Sequence, residues 1–497
     1  MPLFLSVLMA VQAITWREAP AGAVLHARLT SAVGSYASRP GSPVQAVLIA
    51  PVKTAGETVL PTRSILSGHV KSVRRVGLGL IHESSSLDLV FDSIAVPGGG
   101  PRRLTTQLAS VDNAREEVTP TGSIREVRSS GSWGNRAAHY LQSIMLLDVH
   151  AQLLAWAVKS VVIQIPEPEI YLPSGTEITL ALSRPVRSYA TAKADEDART
   201  LTQDERETLA PVISALPGRA FTPPSKAFEN GKPADLVNLL FIGSREQIAA
   251  AFTAAGWMQA RPTSFRSVMS ESLAAVLNRS NQNGPMSSLR VNNSTQDMSW
   301  QKGFNDVSKR HHVRLWKLAQ TWEGQELWAG AGTRDVEWGY LRSGVMATHR
   351  VEEFVDHERD KVAYDISFAS CANVVDWMDR PDSLRMTRNA TGDRMRTDGQ
   401  MAVLQMNACS NPHQITATSD TLPMHGKLLA RLLRREILSA RSDLIRGNIY
   451  WRAYEGVRSV VTMIQNHMQP PDLDSAPQST WASRMQPAGL NSFISFR

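Results

Sequence analysis

Residues 236–257 read LVNLLFIGSREQIAAAFTAAGW, and they decide the fold of the second half of this 497-residue chain. Leu236 to Gly243 is a continuous apolar run of strand length, the pattern of a strand buried on both faces. Ser244 follows at once and stands three residues before Gln247, the spacing of a capping box in which each side chain satisfies the other's backbone N–H. Ile248, Ala251, Phe252 and Ala255 then recur on one helical face, and Gly256 ends the helix. A buried strand feeding a capped helix predicts a mixed α/β core.

Working outward, a second helix is expected over Ser264 to Leu277, followed by two strands rich in polar residues. In RHHVRLW, Arg310 to Trp316, alternation places His311, Val313 and Leu315 on one face. Arg310, His312, Arg314 and Trp316 share the other. In ELWAGAGTRDVEW, Glu326 to Trp338, four small residues from Ala329 to Gly332 permit close packing before Arg334 and Asp335 emerge. Asp356, Glu358 and Asp360 stand where an N-cap and acidic first turn would open a helix through ERDKVAYDISFAS. Residues 424–467 read as two helices with basic surfaces, and 468–497 as a Pro- and Ser-rich disordered tail.

The first half has a different texture. Between 23 and 186 short β-rich runs, Val44 to Val52, Ile65 to Arg75, Leu87 to Ile94 and Ile178 to Leu182, are broken by turn residues, which predicts an antiparallel β-barrel or β-sandwich. Gly56 to Val70 and Pro168 to Leu182 each carry Leu-Pro just before a strand, marking hairpin corners. Ser143 to Ile165 reads as a core helix running into a strand, because Asp148, His150 and Lys159 rule it out as a bilayer span. The polar stretch 187–231, containing at most one helix, reads as the linker to the domain at 235–410. The whole is therefore α+β.

Met1 to Ala13, MPLFLSVLMAVQA, is an apolar run ending in small residues and reads as a signal peptide, so the mature chain is expected in the periplasm or outside the cell. In such a setting Cys371 and Cys409, the only two cysteines, predict one disulfide, with two buried thiols as the alternative. A net charge of +7 without any run of basic residues reads as a solvated surface rather than a nucleic-acid patch. No transmembrane span is expected in the mature chain.

Candidate chemistry concentrates in Arg310 to Asp360, which also holds Arg350 and His357. His312, Arg334, Asp335, His349 and Glu358 are candidate catalytic residues: an imidazole beside Asp335 makes an oriented general base. Arg314, Trp316, Asp356, Arg359 and Asp360 are candidate binding residues, arginine forks being suited to phosphate or carboxylate. Two imidazoles from strands and one from a loop, with a carboxylate, suit a divalent metal as cofactor, although no H-E-x-x-H occurs and adjacent His311 and His312 cannot readily join one site. The competing account is structural: ion pairs of Arg334 with Asp335 and of Arg359 with Glu358 or Asp360.

The blocks NLLFIGSREQIAAAFTAAGW, KRHHVRLW, WAGAGTRDVEWG, THRVEEFVDHERD and RTDGQMAVL, in this order, resemble the LssY C-terminal domain over residues 235–405. The resemblance implies an envelope-associated domain whose recurrent polar positions fall on His312, Arg314, Trp316, Arg334, Asp335, His349, Asp356, Glu358, Arg359 and Asp360. Where that family tends to read Asp-Pro after the histidine, Glu352 and Glu353 stand here. Its membrane-embedded modules are replaced by the β-rich half, so phosphatase chemistry belonging to those modules is not implied. That half, through VQAVLIAPV and LDLVFDSI, is similar to the β-barrel modules of conjugation-type secretion channels. Two readings of function follow. One is an exported envelope protein with a binding or structural role toward an envelope protein, a glycan or a lipid headgroup, or as a secretion-channel accessory. The other is a hydrolase, with or without a metal, acting on ester or phosphoester bonds.

Overall fold

The computed structural model describes residues 16–55, 57–78, 84–112, 116–126, 169–189, 198–226, 228–262, 285–303, 310–340, 347–381, 384–410, 412, 433–434, 437–438 and 457. The expected signal peptide at 1–13, the apolar run 143–165, the helix at 264–277 and the tail at 468–497 lie outside them.

Alternation of small or branched apolar residues with polar ones builds the first domain. Its sheet contains β1 (Val24–Leu29), β2 (Pro43–Leu48), β3 (Ile65–Arg74), β4 (Ser86–Ala95), β5 (Pro101–Arg103), β6 (Thr106–Val111), β7 (Glu116–Val118), β8 (Ser123–Glu126) and β9 (Glu177–Leu182). The order is β6-β9-β1-β2-β3-β4-β8-β7, with β5 on β4, and every pair is antiparallel. The end strands β6 and β7 approach each other, so the sheet is nearly closed into a barrel. Leu25, Ala27 and Leu29 of β1, Val44, Ala46 and Leu48 of β2, and Leu87, Leu89 and Phe91 of β4 fill its interior. Their period of two is what turns a flat ribbon into a sheet with one dry face. Gly68 sits at a register shift between β3 and β4, where an added Cβ would lie 1.9 Å from the Val90 carbonyl oxygen.

The second domain is a mixed sheet between two apolar layers. After α1 (Gln203–Ala215) come β10 (Leu239–Ile242), α2 (Arg245–Ala254), β11 (Met258–Gln259), β12 (Met298–Gly303), β13 (Arg310–Trp322), β14 (Gln325–Tyr340), β15 (Ala347–Val351), α3 (Asp356–Phe368), β16 (Ala372–Asp379) and β17 (Gln400–Met406). The order is β11-β12-β13-β14-β10-β17-β16 with β15 on β14, and β10 with β17 is the parallel pair. β10 shows the logic: Leu239 and Phe241 face α2 and α3, while Leu240 and Ile242 face α1. The Ser244 capping box forms as expected, both reciprocal hydrogen bonds being present.

Two expectations are corrected. The acidic turn does not cap α3 through a side chain, since Val355 occupies the N-cap and Asp356 begins the helix. The stretch expected to be linker contains α1, which has its own Thr202–Glu205 capping box and buries Leu209 and Ile213 against the second sheet. It is therefore part of that domain's packing. Of the expected C-terminal helices only 433–434, 437–438 and 457 lie among the described residues, all helical; there Leu438 is buried and Arg434 donates to the Val76 carbonyl (3.2 Å) and to Glu169 Oε1 (2.5 Å).

Phe252 is the keystone of the α2 layer, stacked on Trp300 (ring centroids 5.1 Å apart) and edge-on to Trp257 (5.6 Å). Phe252→Ala leaves a cavity among rings that cannot collapse, and is expected to cost about 3–5 kcal/mol, read as a lowered urea midpoint of the full chain.

Candidate functional site

Strand parity divides the polar stretch into two sites. His311 of β13 and Arg334 of β14 are register partners on the sheet face covered by α3, as Arg310 and Asp335 are on the opposite face with His312.

The α3 side is closed by the barrel. His311 Nδ1 lies 2.5 Å from Glu358 Oε2 on α3, and its Nε2 lies 2.7 Å from Oδ2 of Asp112, just beyond β6 of the barrel. Arg334 Nη2 donates to the other oxygen of Asp112 at 3.0 Å. Deeper in the same seam, Asp365 of α3 accepts from Arg28 (3.0 Å) and Lys302 (2.9 Å), and also from the Trp257 indole (3.0 Å). Glu177 of β9 accepts from Arg28 and Lys302, both at 2.9 Å, and from Lys361. Three members, Arg28, Asp112 and Glu177, come from the barrel, and the others from the second domain. Around this core Arg63 of the barrel donates to Ser370 Oγ at 2.6 Å, and Val47 and Ile49 pack on Phe368.

Burial would neutralise such groups; here mutual charge prevents it. Burial alone would lower His311, but Asp112 and Glu358 outweigh it and raise the imidazole to about 9. Burial works against ionising Asp112 as well, yet His311 and Arg334 hold it well below the usual carboxylate range. Glu177 is held low in the same way by Lys302, Lys361 and Arg28. Glu358 goes the other way, pushed up by burial despite His311. As an imidazolium, His311 donates from both ring nitrogens, and has no lone pair with which to act as a base.

A second buried knot holds the expected binding residues Asp356, Arg359 and Asp360. Arg359 donates to Asp398 (2.6 and 3.1 Å), Asp356 (3.2 Å), Asp360 (2.8 Å) and the Gln400 carbonyl (2.9 Å). Asp356 in turn accepts from the Asp398 amide at 2.6 Å and the Thr397 hydroxyl at 2.7 Å, tying the start of α3 to the turn before β17. All three nitrogens of the guanidinium fork thus donate within the chain itself.

On the opposite face Arg314 donates to Asp235 Oδ2 at 2.7 Å and to the Ser287 carbonyl and hydroxyl, each at 3.2 Å. Trp316 belongs to the apolar layer under α1. His312 Nδ1 is 3.3 Å from Asp335 Oδ2. The expected catalytic set is therefore not one site: His312 and Asp335 are separated by the sheet from Arg334 and Glu358. The expected ion pair of Arg334 with Asp335 fails for the same reason, and Arg334 pairs with Asp112 instead. His349 pairs with Trp338 in the β14–β15 ladder, and its side chain lies outside the described residues. Among the described residues no three His, Cys, Asp or Glu groups stand together in a way that could hold a metal ion. Nor is any described helix long and apolar enough to cross a membrane.

Cys371 and Cys409 form a disulfide joining the start of β16 to the chain just beyond β17. Sequence reasoning missed Arg28, Asp112, Glu177, Lys302, Lys361 and Asp365. The signal available was Glu358, Lys361 and Asp365, spaced three and four apart on a helix that also carries Val362 and Ile366.

Residues 223–401 match the family described as LssY C-terminus, which covers the whole of both polar sites except their barrel contribution. The chain is also similar to ComB10 of the Com type IV secretion system of Helicobacter pylori, at 11% identity, over 36% of this chain and 93% of that one, with a TM-score of 0.20. That likeness is too loose to define a shared fold. No curated protein matches the chain.

A group whose pKa is raised on folding stabilises fully below its unfolded value and loses that contribution as pH rises through the folded one. For His311 the stabilisation is present below its ordinary 6.5 and is lost as pH rises through about 9. Asp112, held low, is lost in the other direction, as pH falls below its ordinary 3.8. Full-chain stability, followed by urea unfolding, is expected to decline from pH 6.5 to 9.5, less so in His311→Gln. Asp112→Asn, which removes the counter-ion that His311 and Arg334 share, is expected to cost about 3 kcal/mol.

Proposed function

We propose that this chain is an envelope protein with a binding or structural role, in which the LssY C-terminus domain uses its polar stretch as a seat for the β-barrel. The observation that carries this reading is His311, held between Glu358 of its own domain and Asp112 of the barrel by both ring nitrogens. A catalytic imidazole needs one nitrogen free for the substrate's proton, and a catalytic arginine needs an open side. On the α3 face these groups are instead spent on fixing one domain against the other. Arg359, the most buried arginine of the stretch, is likewise spent within the chain.

The setting in the envelope is supported by the disulfide between Cys371 and Cys409, since such bonds persist where the surroundings are oxidising. With its seat filled by the barrel, the domain would present its partners, whether protein, glycan or headgroup, with the outer surfaces of a rigid two-domain body.

Purified full-length protein offered chromogenic ester and phosphoester probes is expected to release product no faster than a buffer blank, before and after addition of zinc or magnesium. Release above the blank that His312→Ala or His311→Ala abolishes would replace this reading with the hydrolase. In cell fractions, Cys371 and Cys409 are expected to resist alkylation until reduced; free thiols in a cytosolic fraction would remove the envelope setting.

A further inference from the structure

The face of the second sheet turned away from α3 carries a polar group that the seat does not use. His312 is only 7% exposed, and its register partner on β14 is Thr333, also buried. One side of the ring is accounted for, with Nδ1 3.3 Å from Asp335 Oδ2. The other nitrogen, Nε2, is buried without a hydrogen-bond partner among the described residues. Such an atom costs free energy unless something occupies its lone pair or accepts its proton. The neighbouring Arg314 is held in place by Asp235 and Ser287, so the imidazole stands in a fixed polar frame rather than on a mobile surface.

We propose that His312 Nε2, with Arg310 two residues before it on the same strand face, forms a binding site for a small oxyanion such as phosphate. The carboxylate of Asp335 stands beside Nδ1, which leaves Nε2 to accept a hydrogen bond or to donate one. A phosphate can answer either state, because it carries both acidic hydroxyls and anionic oxygens. Arg310, in register with Asp335 and buried, puts a planar cationic fork suited to an oxyanion on the same face of the sheet. The burial of His312, Arg310, Thr333 and Asp335 limits the ligand to a single small group, which disfavours a glycan chain or a headgroup still embedded in a bilayer. This site lies on the other side of the sheet from the interdomain seat, so the two readings stand or fall separately.

The test is calorimetric titration of the full chain with inorganic phosphate at pH 6, at constant ionic strength in chloride, with vesicles of an anionic phospholipid as a second arm. Saturable binding of phosphate and none of vesicles is expected, and His312→Gln should weaken it about tenfold or more. Crystals of the wild-type chain soaked in tungstate should show density beside His312 Nε2, a readout independent of whether the variant folds. Absence of saturable phosphate binding, binding that His312→Gln leaves intact, or tungstate located away from Nε2 would each overturn the proposal. Vesicle binding that His312→Gln abolishes would also overturn it, because the group could not then be a small free anion.

Discussion

An imidazolium suspended between two carboxylates from different domains is the interaction on which the arrangement of this protein rests. His311 would be an expensive group to bury alone, and Asp112 and Glu358 equally so. Together they form an alternating line of charge, continued by Arg334, Lys361, Glu177, Lys302, Asp365 and Arg28, in which each ion's neighbours compensate for the water it has lost. Such a line contributes less to net stability than an apolar seam of the same size would. What it contributes is orientation, because charges of alternating sign match in one register and oppose each other in most others.

The second domain's fold was legible because local signals agreed. The apolar run at Leu239 to Ile242 alternates between two cores, and the Ser244 box closes the helix that follows. Strand parity likewise separated His311 from His312 correctly. What parity could not do was say which face mattered, since the answer lies 199 residues away in Asp112. Grouping His312 with Glu358 followed from nearness in sequence, and the sheet between them cancels it. The linker reading failed for a related reason: Leu209 and Ile213 are too few to announce a core helix until the sheet they cover is known.

Arg359 illustrates how a dense polar motif can be wholly structural. A residue with five donors and three aspartates around it resembles a ligand site in sequence, but here the acceptors are supplied by Asp356, Asp360 and Asp398 of the chain itself. The role of Asp398 was invisible because the turn holding it is brought to α3 only by the β10–β17 pairing. The knot fixes the start of α3, and α3 carries Glu358, Lys361 and Asp365 to the barrel, so an error in aiming Arg359 would be magnified along the helix to the far end of the seam.

The seam also makes the two halves unequal if they are ever parted. The barrel would give back to water one arginine and two carboxylates, Arg28, Asp112 and Glu177, all of which water solvates readily. The second domain would keep Lys302, His311, Arg334 and Lys361 gathered around Glu358 and Asp365, an excess of positive charge held together by its own sheet and helix. During synthesis the barrel emerges first, and the later half arrives carrying an excess of positive charge that Asp112 and Glu177 of the barrel help to relieve. Chain order and charge distribution thus favour assembly in one direction, with the barrel serving as the template on which its neighbour settles.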